Sequence, residues 1–188
     1  KVKGMPYIGV IHRLDKPVGG VMVYAKTQQA AGKLSEQVRG NKMTKEYLAV
    51  LTGTLPKKEG RLEDMLLSNG KTNRTEVVDA KTSGAKKAVL EYKVKRTKFD
   101  EGQQYSLVNV HLITGRRHQI RVQMAHAGAG LWGDTRYNPV FADKKGWVDL
   151  ALFAWHLEFD HPVTKKHLAF KVPAGSQITA HFKAEECK

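Results

Sequence analysis

Gly9-Val-Ile-His-Arg-Leu-Asp-Lys-Pro-Val-Gly-Gly-Val-Met-Val-Tyr-Ala-Lys26 is the stretch on which the reading of this chain turns. Two short apolar runs, Val10 to Leu14 and Val21 to Ala25, flank a turn rich in Pro and Gly. The pattern predicts strand, tight connection, strand. Asp15 closes the first run between Arg13 and Lys16. Nearby positive charge favours the ionised form of a carboxylate. An ionised, positioned carboxylate can act as nucleophile or general base. An Asp before Lys-Pro-Val-Gly is also an ordinary turn-initiating residue, and taken alone that plainer reading is favoured.

Outward from this stretch, Lys1 to Tyr7 is basic, carries Gly4 and Pro6, and reads as a loop. On the other side Thr27 suits a helix N-cap. Ala30, Ala31, Leu34 and Val38 recur at helical spacing and Gly40 suits the stop, which predicts a helix over Gln28–Arg39. Lys42 to Thr52 is rich in aromatic and β-branched residues and predicts a strand with Tyr47, Ala49 and Leu51 on one face. Thr54 to Gly60 reads as a basic loop, and Met65 to Gly84 as short alternating pieces. Lys71, Arg74, Lys81, Lys86 and Lys87 there suit either a phosphate-facing surface or a solvated basic face.

Ala88, Leu90, Tyr92 and Val94 alternate with polar positions, a half-buried strand signal. Asp100-Glu101-Gly102 is the turn to a second strand, Tyr105 to Thr114, so the pair predicts an antiparallel hairpin. Near the end, Leu152 to Phe159 predicts a strand with Phe153, Trp155, Leu157 and Phe159 on one apolar face. A turn at His161 to Lys166 then leads to a returning strand carrying Leu168, Phe170 and Val172.

A second chemical stretch is Thr114-Gly-Arg-Arg-His-Gln-Ile-Arg-Val122. Gly115 breaks the strand, and Ile120, Met124 and Ala127 predict a helix from about Arg117, with Arg117 and Arg121 on one face. Cations at a helix N-terminus oppose its dipole. Stability alone would not place them there, which points to function.

Among 188 residues, 32 Lys and Arg stand against 18 Asp and Glu, a formal net charge of +14. Basic residues are spread over the whole chain, so a basic folded surface and a polyanionic partner, most simply nucleic acid, are expected. No apolar run approaches the roughly 20 residues of a membrane helix. No signal-peptide pattern opens the chain, and its start at Lys1 implies that natural N-terminal residues are missing. The single cysteine, Cys187, can form no internal disulfide, which suits a reducing compartment, and a cytoplasmic protein is expected. The eight histidines show no metal-ligand spacing, and no phosphate-cradling or dinucleotide motif occurs, so neither metal nor cofactor is expected.

The ordered set of motifs resembles the RluA-like RNA pseudouridine synthases. His12-Arg13-Leu14-Asp15 is similar to the family's HRLD string, whose Asp is catalytic. The family usually continues Thr-Ser-Gly, where this chain has Val18-Gly19-Gly20 and so lacks a hydroxyl pair. Lys45-Glu46-Tyr47 resembles the family's Lys-x-Tyr, whose Tyr lines the active site; a plain core aromatic is the alternative. Gly115-Arg116-Arg117-His118-Gln119-Ile120-Arg121 resembles Gly-Arg-x-His-Gln-Ile-Arg, one Arg of which pairs with the catalytic Asp. Gly133-Asp134-Thr135-Arg136-Tyr137 resembles Gly-Asp-x-x-Tyr, with Asp134 a supporting rather than a catalytic residue. Close to the end, Phe153 stands where the family usually has His.

The resemblance implies an α+β fold: one catalytic domain over residues 1–188, a mostly antiparallel mixed β-sheet, flanking helices and a basic cleft. The family's earlier Lys-Pro segment has no counterpart in the 11 residues before His12, which implies that part of the sheet edge is missing. Asp15, Tyr47 and Arg121 are the expected catalytic residues. Arg13, His12, Arg116, Arg117, His118 and Gln119 are the expected RNA contacts, with Arg116 serving RNA or structure and Arg13 filling the space left by a flipped base. Ile120 and Val122 are expected in the core. The expected activity is isomerisation of a uridine in ribosomal or transfer RNA, by a chain in which nothing demands more than a monomer. Two other classes compete: an inactive RNA-binding module of the same fold, and a metal-dependent nuclease, against which the missing ligand spacing argues.

Overall fold

The computed structural model describes residues 6–100 and 102–187. The expected loop over the first five residues, and Glu101 in the expected turn, lie outside the described residues. The predicted helix, α1 (Gln28–Arg39), has the expected bounds. Thr27 caps it by accepting a hydrogen bond from the Ala30 N–H at 3.1 Å, and the Gly40 N–H closes its end on the Glu36 carbonyl at 2.9 Å.

The opening segment is not a strand–turn–strand unit. Only two-residue strands form: β1 (Gly9–Val10) pairs antiparallel with β3 (Tyr24–Ala25), while β2 (Gly19–Gly20) between them pairs elsewhere. Pro17 has no N–H to give a ladder, and the turn bonds Val18 N–H to the Asp15 carbonyl at 2.8 Å. Ile11 to Leu14 therefore runs as irregular backbone.

The main sheet contains β4 (Thr44–Thr52), β5 (Glu59–Asn69), β6 (Arg74–Val78), β7 (Lys86–Asp100), β8 (Gln103–Leu112), β9 (Leu152–Asp160) and β10 (His167–Lys171). Its spatial order is β10-β9-β4-β8-β7-β5-β6, antiparallel throughout, with β2 added in parallel beside β9. The long hairpin β7–β8 and the closing hairpin β9–β10 match the sequence reading. The β5–β6 hairpin replaces the expected short pieces; its outward Glu59, Arg61 and Glu63 carry no apolar alternation.

β4 is the central strand. Tyr47, Ala49 and Leu51 enter one core cluster, with Leu90, Val108, Val110, Ile120 and Met124; Leu48 and Val50 enter another, with Leu107, Ile178 and Phe182. β9 does not have the single apolar face expected of it. A bulge skips Trp155, so Glu46 faces His156 while Tyr47 faces Ala154. A bulge inserts one residue and reverses the alternation. Accordingly Leu152 and Ala154 enter the Tyr47 cluster, Leu157 and Phe159 pack with α1, and Phe153 and Trp155 are half-buried.

The second helix, α2 (Gln119–His126), starts two residues later than Arg117, because His118 before it has left-handed backbone, φ 52°. Ile120 and Val122 are buried, as expected. A short α3 (Ser176–Thr179) covers the opposite sheet face, where Ile178 is wholly buried. No helix among the described residues is long and apolar enough to cross a membrane.

Candidate active site

The opening loop, β4, α2 and the segment after α2 converge on an open cleft of about 1140 Å³. His12, Arg13, Asp15, Lys45, Tyr47, Arg116, Arg117, His118, Gln119, Arg121 and Arg136 all line it, so the expected site residues are brought together in one place.

Asp15 sits in the turn between two apolar anchors. Leu14 and Val18 both pack against the Tyr47 core cluster, and β2 just beyond them is stitched to β9. The carboxylate between them is 26% exposed and faces the cleft. Arg121 reaches it from α2, with one terminal nitrogen 3.3 Å from Oδ2. The pairing expected of Arg121, rather than Arg116, is the one found.

Arg121 is itself held from behind. Its Nε and its other terminal nitrogen donate to the two oxygens of Asp134 at 2.8 and 2.7 Å. Asp134 is fully buried and also accepts the backbone N–H groups of Arg136 at 3.0 Å and Tyr137 at 3.2 Å. The Tyr137 ring lies 5.1 Å from the guanidinium. A planar five-donor fork suits this arrangement. Burial opposes the charge on Arg121, but the hydrogen bonds and charge of Asp134, with Asp15 behind them, raise its pKa. Asp134 is thus the supporting residue its motif suggested.

The Tyr47 ring is core, 7% exposed, and it also lines the cleft. Burial, with the Asp15 charge adding to it, pushes its phenol up to about 12. His118 is positioned by its neighbours: its Nδ1 lies 2.7 Å from the Tyr137 hydroxyl, which already accepts the Thr75 N–H at 2.9 Å. The imidazole Nε2 lies 3.9 Å from the Asp15 carboxylate. Burial lowers the His118 pKa; Asp15 works against this, and Arg121, Arg136 and Arg117 add to it. His12 accepts the Val23 N–H on Nε2 at 3.2 Å, and burial, then Lys45, lowers its pKa. Its first duty is to fold the Asp15 loop.

Arg13 is exposed at the mouth. Arg116 is exposed too, though its Nε donates to the Lys87 carbonyl at 2.9 Å. Arg117 lies before α2 and does not share a helical face with Arg121; its side chain bonds Asn73 at the tip of the β5–β6 hairpin, as does Arg136. Gln119 is 3% exposed and spent on the protein: Oε1 accepts from Thr114 and the Arg116 N–H, and Nε2 donates to the Val89 carbonyl at 3.0 Å. It shapes the loop that presents the arginines. Residues the sequence reading did not place here are Lys45, Asn73 and Arg136. Asn73 lies in the unread hairpin, whereas Lys45 and Arg136 stand inside motifs that were quoted for other residues.

The family model described as RNA pseudouridylate synthase matches residues 1–126. YlyB of Bacillus subtilis, named as an RNA pseudouridine synthase, is 32% identical over 175 residues, covering 92% of this chain and 54% of that protein. Ribosomal large subunit pseudouridine synthase D of Vibrio cholerae is 34% identical over 180 residues, covering 90% of this chain and 53% of that protein. The chain thus spans about half the length of these relatives. The human RNA pseudouridylate synthase domain containing 1 shares the fold with a TM-score of 0.76 at 23% identity, over 89% of this chain and 69% of that one. Together with the four motifs gathered in the cleft, these matches mean that the chain belongs to the RluA-like RNA pseudouridylate synthase family.

Proposed function

We propose that this chain isomerises a uridine of structured RNA to pseudouridine, with Asp15 as nucleophile or base. One observation carries the reading: a half-buried carboxylate, aimed into an arginine-lined cleft and gripped by a buried Arg121 that Asp134 holds in place. In the reaction the N1–C1′ bond breaks, the ring turns, and a C5–C1′ bond forms. The C5 proton leaves and N1 gains one, so no oxidant or group donor enters the balance. Attack of Asp15 on C1′, attack on C6, or removal of a ribose proton each require one oriented carboxylate oxygen, which Arg121 supports.

Tyr47 forms the wall on which the uracil ring stacks. With its phenol pushed up to about 12, it enters the reaction protonated and serves proton transfer from C5 as a relay, not as an initial base. Extruding a stacked base costs a few kcal/mol. Phosphate contacts offset this, and exposed Arg116 and Arg117 are placed to make them. Arg13 fills the vacated stack with a guanidinium that stacks and hydrogen-bonds. His118 contacts the nucleotide beside Asp15. The Vibrio cholerae relative is named for the large ribosomal subunit, which makes ribosomal RNA the first substrate to try and transfer RNA the second.

The test is tritium release from ribosomal and transfer RNA carrying C5-tritiated uridine. Wild type is expected to release tritium. Asp15→Asn is expected to release none while holding RNA affinity within a few fold. Near-normal release by Asp15→Asn overturns the assignment.

A further inference from the structure

Lys45 is the anomaly of the cleft. It stands two residues before Tyr47 on β4, so both side chains leave the same face of the strand. It is 8% exposed, yet it lines the cleft and makes no ion pair among the described residues. A buried lysine is ordinarily paired, because taking a charge out of water without a partner is costly. The carboxylates of the site are committed elsewhere: Asp134 to Arg121, and Asp15 to Arg121 with His118 alongside. A Cβ on Gly115 would lie 3.6 Å from Nζ, and His12 feels its positive charge. Burial pushes its pKa down, as fits an ammonium short of a counter-charge.

We infer that Lys45 is a further catalytic residue, whose ammonium binds a carbonyl oxygen of the target uracil and holds the negative charge that develops on the ring. This rests on the pseudouridine reading above. Phosphates remain at the rim, where Arg116 and Arg117 are exposed; only an extruded base reaches the floor beside Tyr47. Uracil offers two carbonyl oxygens there. When N1–C1′ breaks, the bonding pair stays with the ring and spreads over N1 and both oxygens; attack at C6 would likewise place charge on the ring oxygen. A preorganised cation at that oxygen stabilises the transition state more than the neutral ground state. The strand supplies it without a carboxylate to neutralise it.

The experiment is single-turnover tritium release at saturating RNA by Lys45→Met and Lys45→Ala, beside wild type and Asp15→Asn, with thermal melting of each variant. Lys45→Met is expected to slow the chemical step by about 100-fold while RNA affinity stays within a few fold. Propylamine is expected to restore the rate of Lys45→Ala severalfold, and 1-propanol, which fills the same space without charge, is expected not to. A Lys45→Met rate within a few fold of wild type overturns the inference. Equal rescue by propanol and propylamine also overturns it, since it would show a packing role. If Lys45→Met melts early, the amine rescue of Lys45→Ala decides. When wild type releases tritium and Asp15→Asn does not, a normal Lys45→Met sinks only this inference; no release by wild type sinks the reading beneath it.

Discussion

Arg121 holds two carboxylates at once, and the two are unequal. Asp134 is fully buried and takes two of its nitrogens; Asp15 is partly exposed and takes the third. Asp134→Asn should therefore act on both stability and turnover. Breaking one side of a buried pair leaves an uncompensated charge and costs about 3–5 kcal/mol, to be read by denaturant unfolding, and it frees the guanidinium that aims Asp15. Arg121→Lys keeps the charge but loses the fork, so turnover should fall well before RNA affinity does. Tyr47 gives a spectroscopic check. Its folded phenol is raised from 10.0 to about 12, so the folded state holds this proton where the unfolded chain has lost it. The associated stability is complete below pH 10 and is lost as pH rises towards 12. The tyrosinate absorbance of Tyr47, taken as wild type minus Tyr47→Phe, should appear only near that upper limit. That Asp15, Tyr47 and Arg121 meet in one cleft was legible from the chain because motif order marks them. Lys45 was not: a lysine on a strand reads as an outward polar position until neighbouring elements close over it. The left-handed backbone of His118 was hidden too, since no glycine or asparagine marks the position.

At the level of elements, the decisive join is β2 to β9. Gly20 has φ +128°, and its Cβ would fall on the Ala154 carbonyl, to which Val21 N–H also bonds at 2.8 Å. Gly20→Ala adds about 1–3 kcal/mol of backbone strain together with that collision, and it loosens the segment that carries Asp15. Tritium release should collapse, while α1 and the β7–β8 hairpin keep their far-ultraviolet signature. If the variant retains full turnover, the join is not what positions Asp15. Helix α1 was legible because cap, spacing and stop agreed; β4 because it is rich in aromatic and β-branched residues, β7 and β10 because their apolar alternation is regular, and β8 because it follows the turn after β7. The opening strands were over-read, since a run of apolar residues between Gly and Pro does not need to pair along its length. β5 was under-read because its outer half alternates charge instead of apolarity, and β9 because a bulge changes its face midway.

Across the whole molecule, the proposed function makes the net charge of +14 the driver of RNA association. The logarithm of RNA affinity should fall linearly with the logarithm of salt concentration, with a slope of about −0.7 to −0.9 per phosphate neutralised. Arg116→Ala and Arg117→Ala should each flatten that slope, and a salt-independent affinity would remove the electrostatic account of the cleft. The α+β class and the antiparallel sheet could be expected from pattern and resemblance, whereas the spatial strand order rests on pairings between distant segments that no local window contains. The join of Gly20 to Ala154, and the reach of Arg121 to an Asp15 that lies 106 positions earlier, fix an order in time as well. As the chain leaves the ribosome, the segment bearing Asp15 emerges well before β9, the strand on which it docks. The nascent polypeptide thus carries an unseated Asp15 until β9 has been made and slides in between β2 and β4.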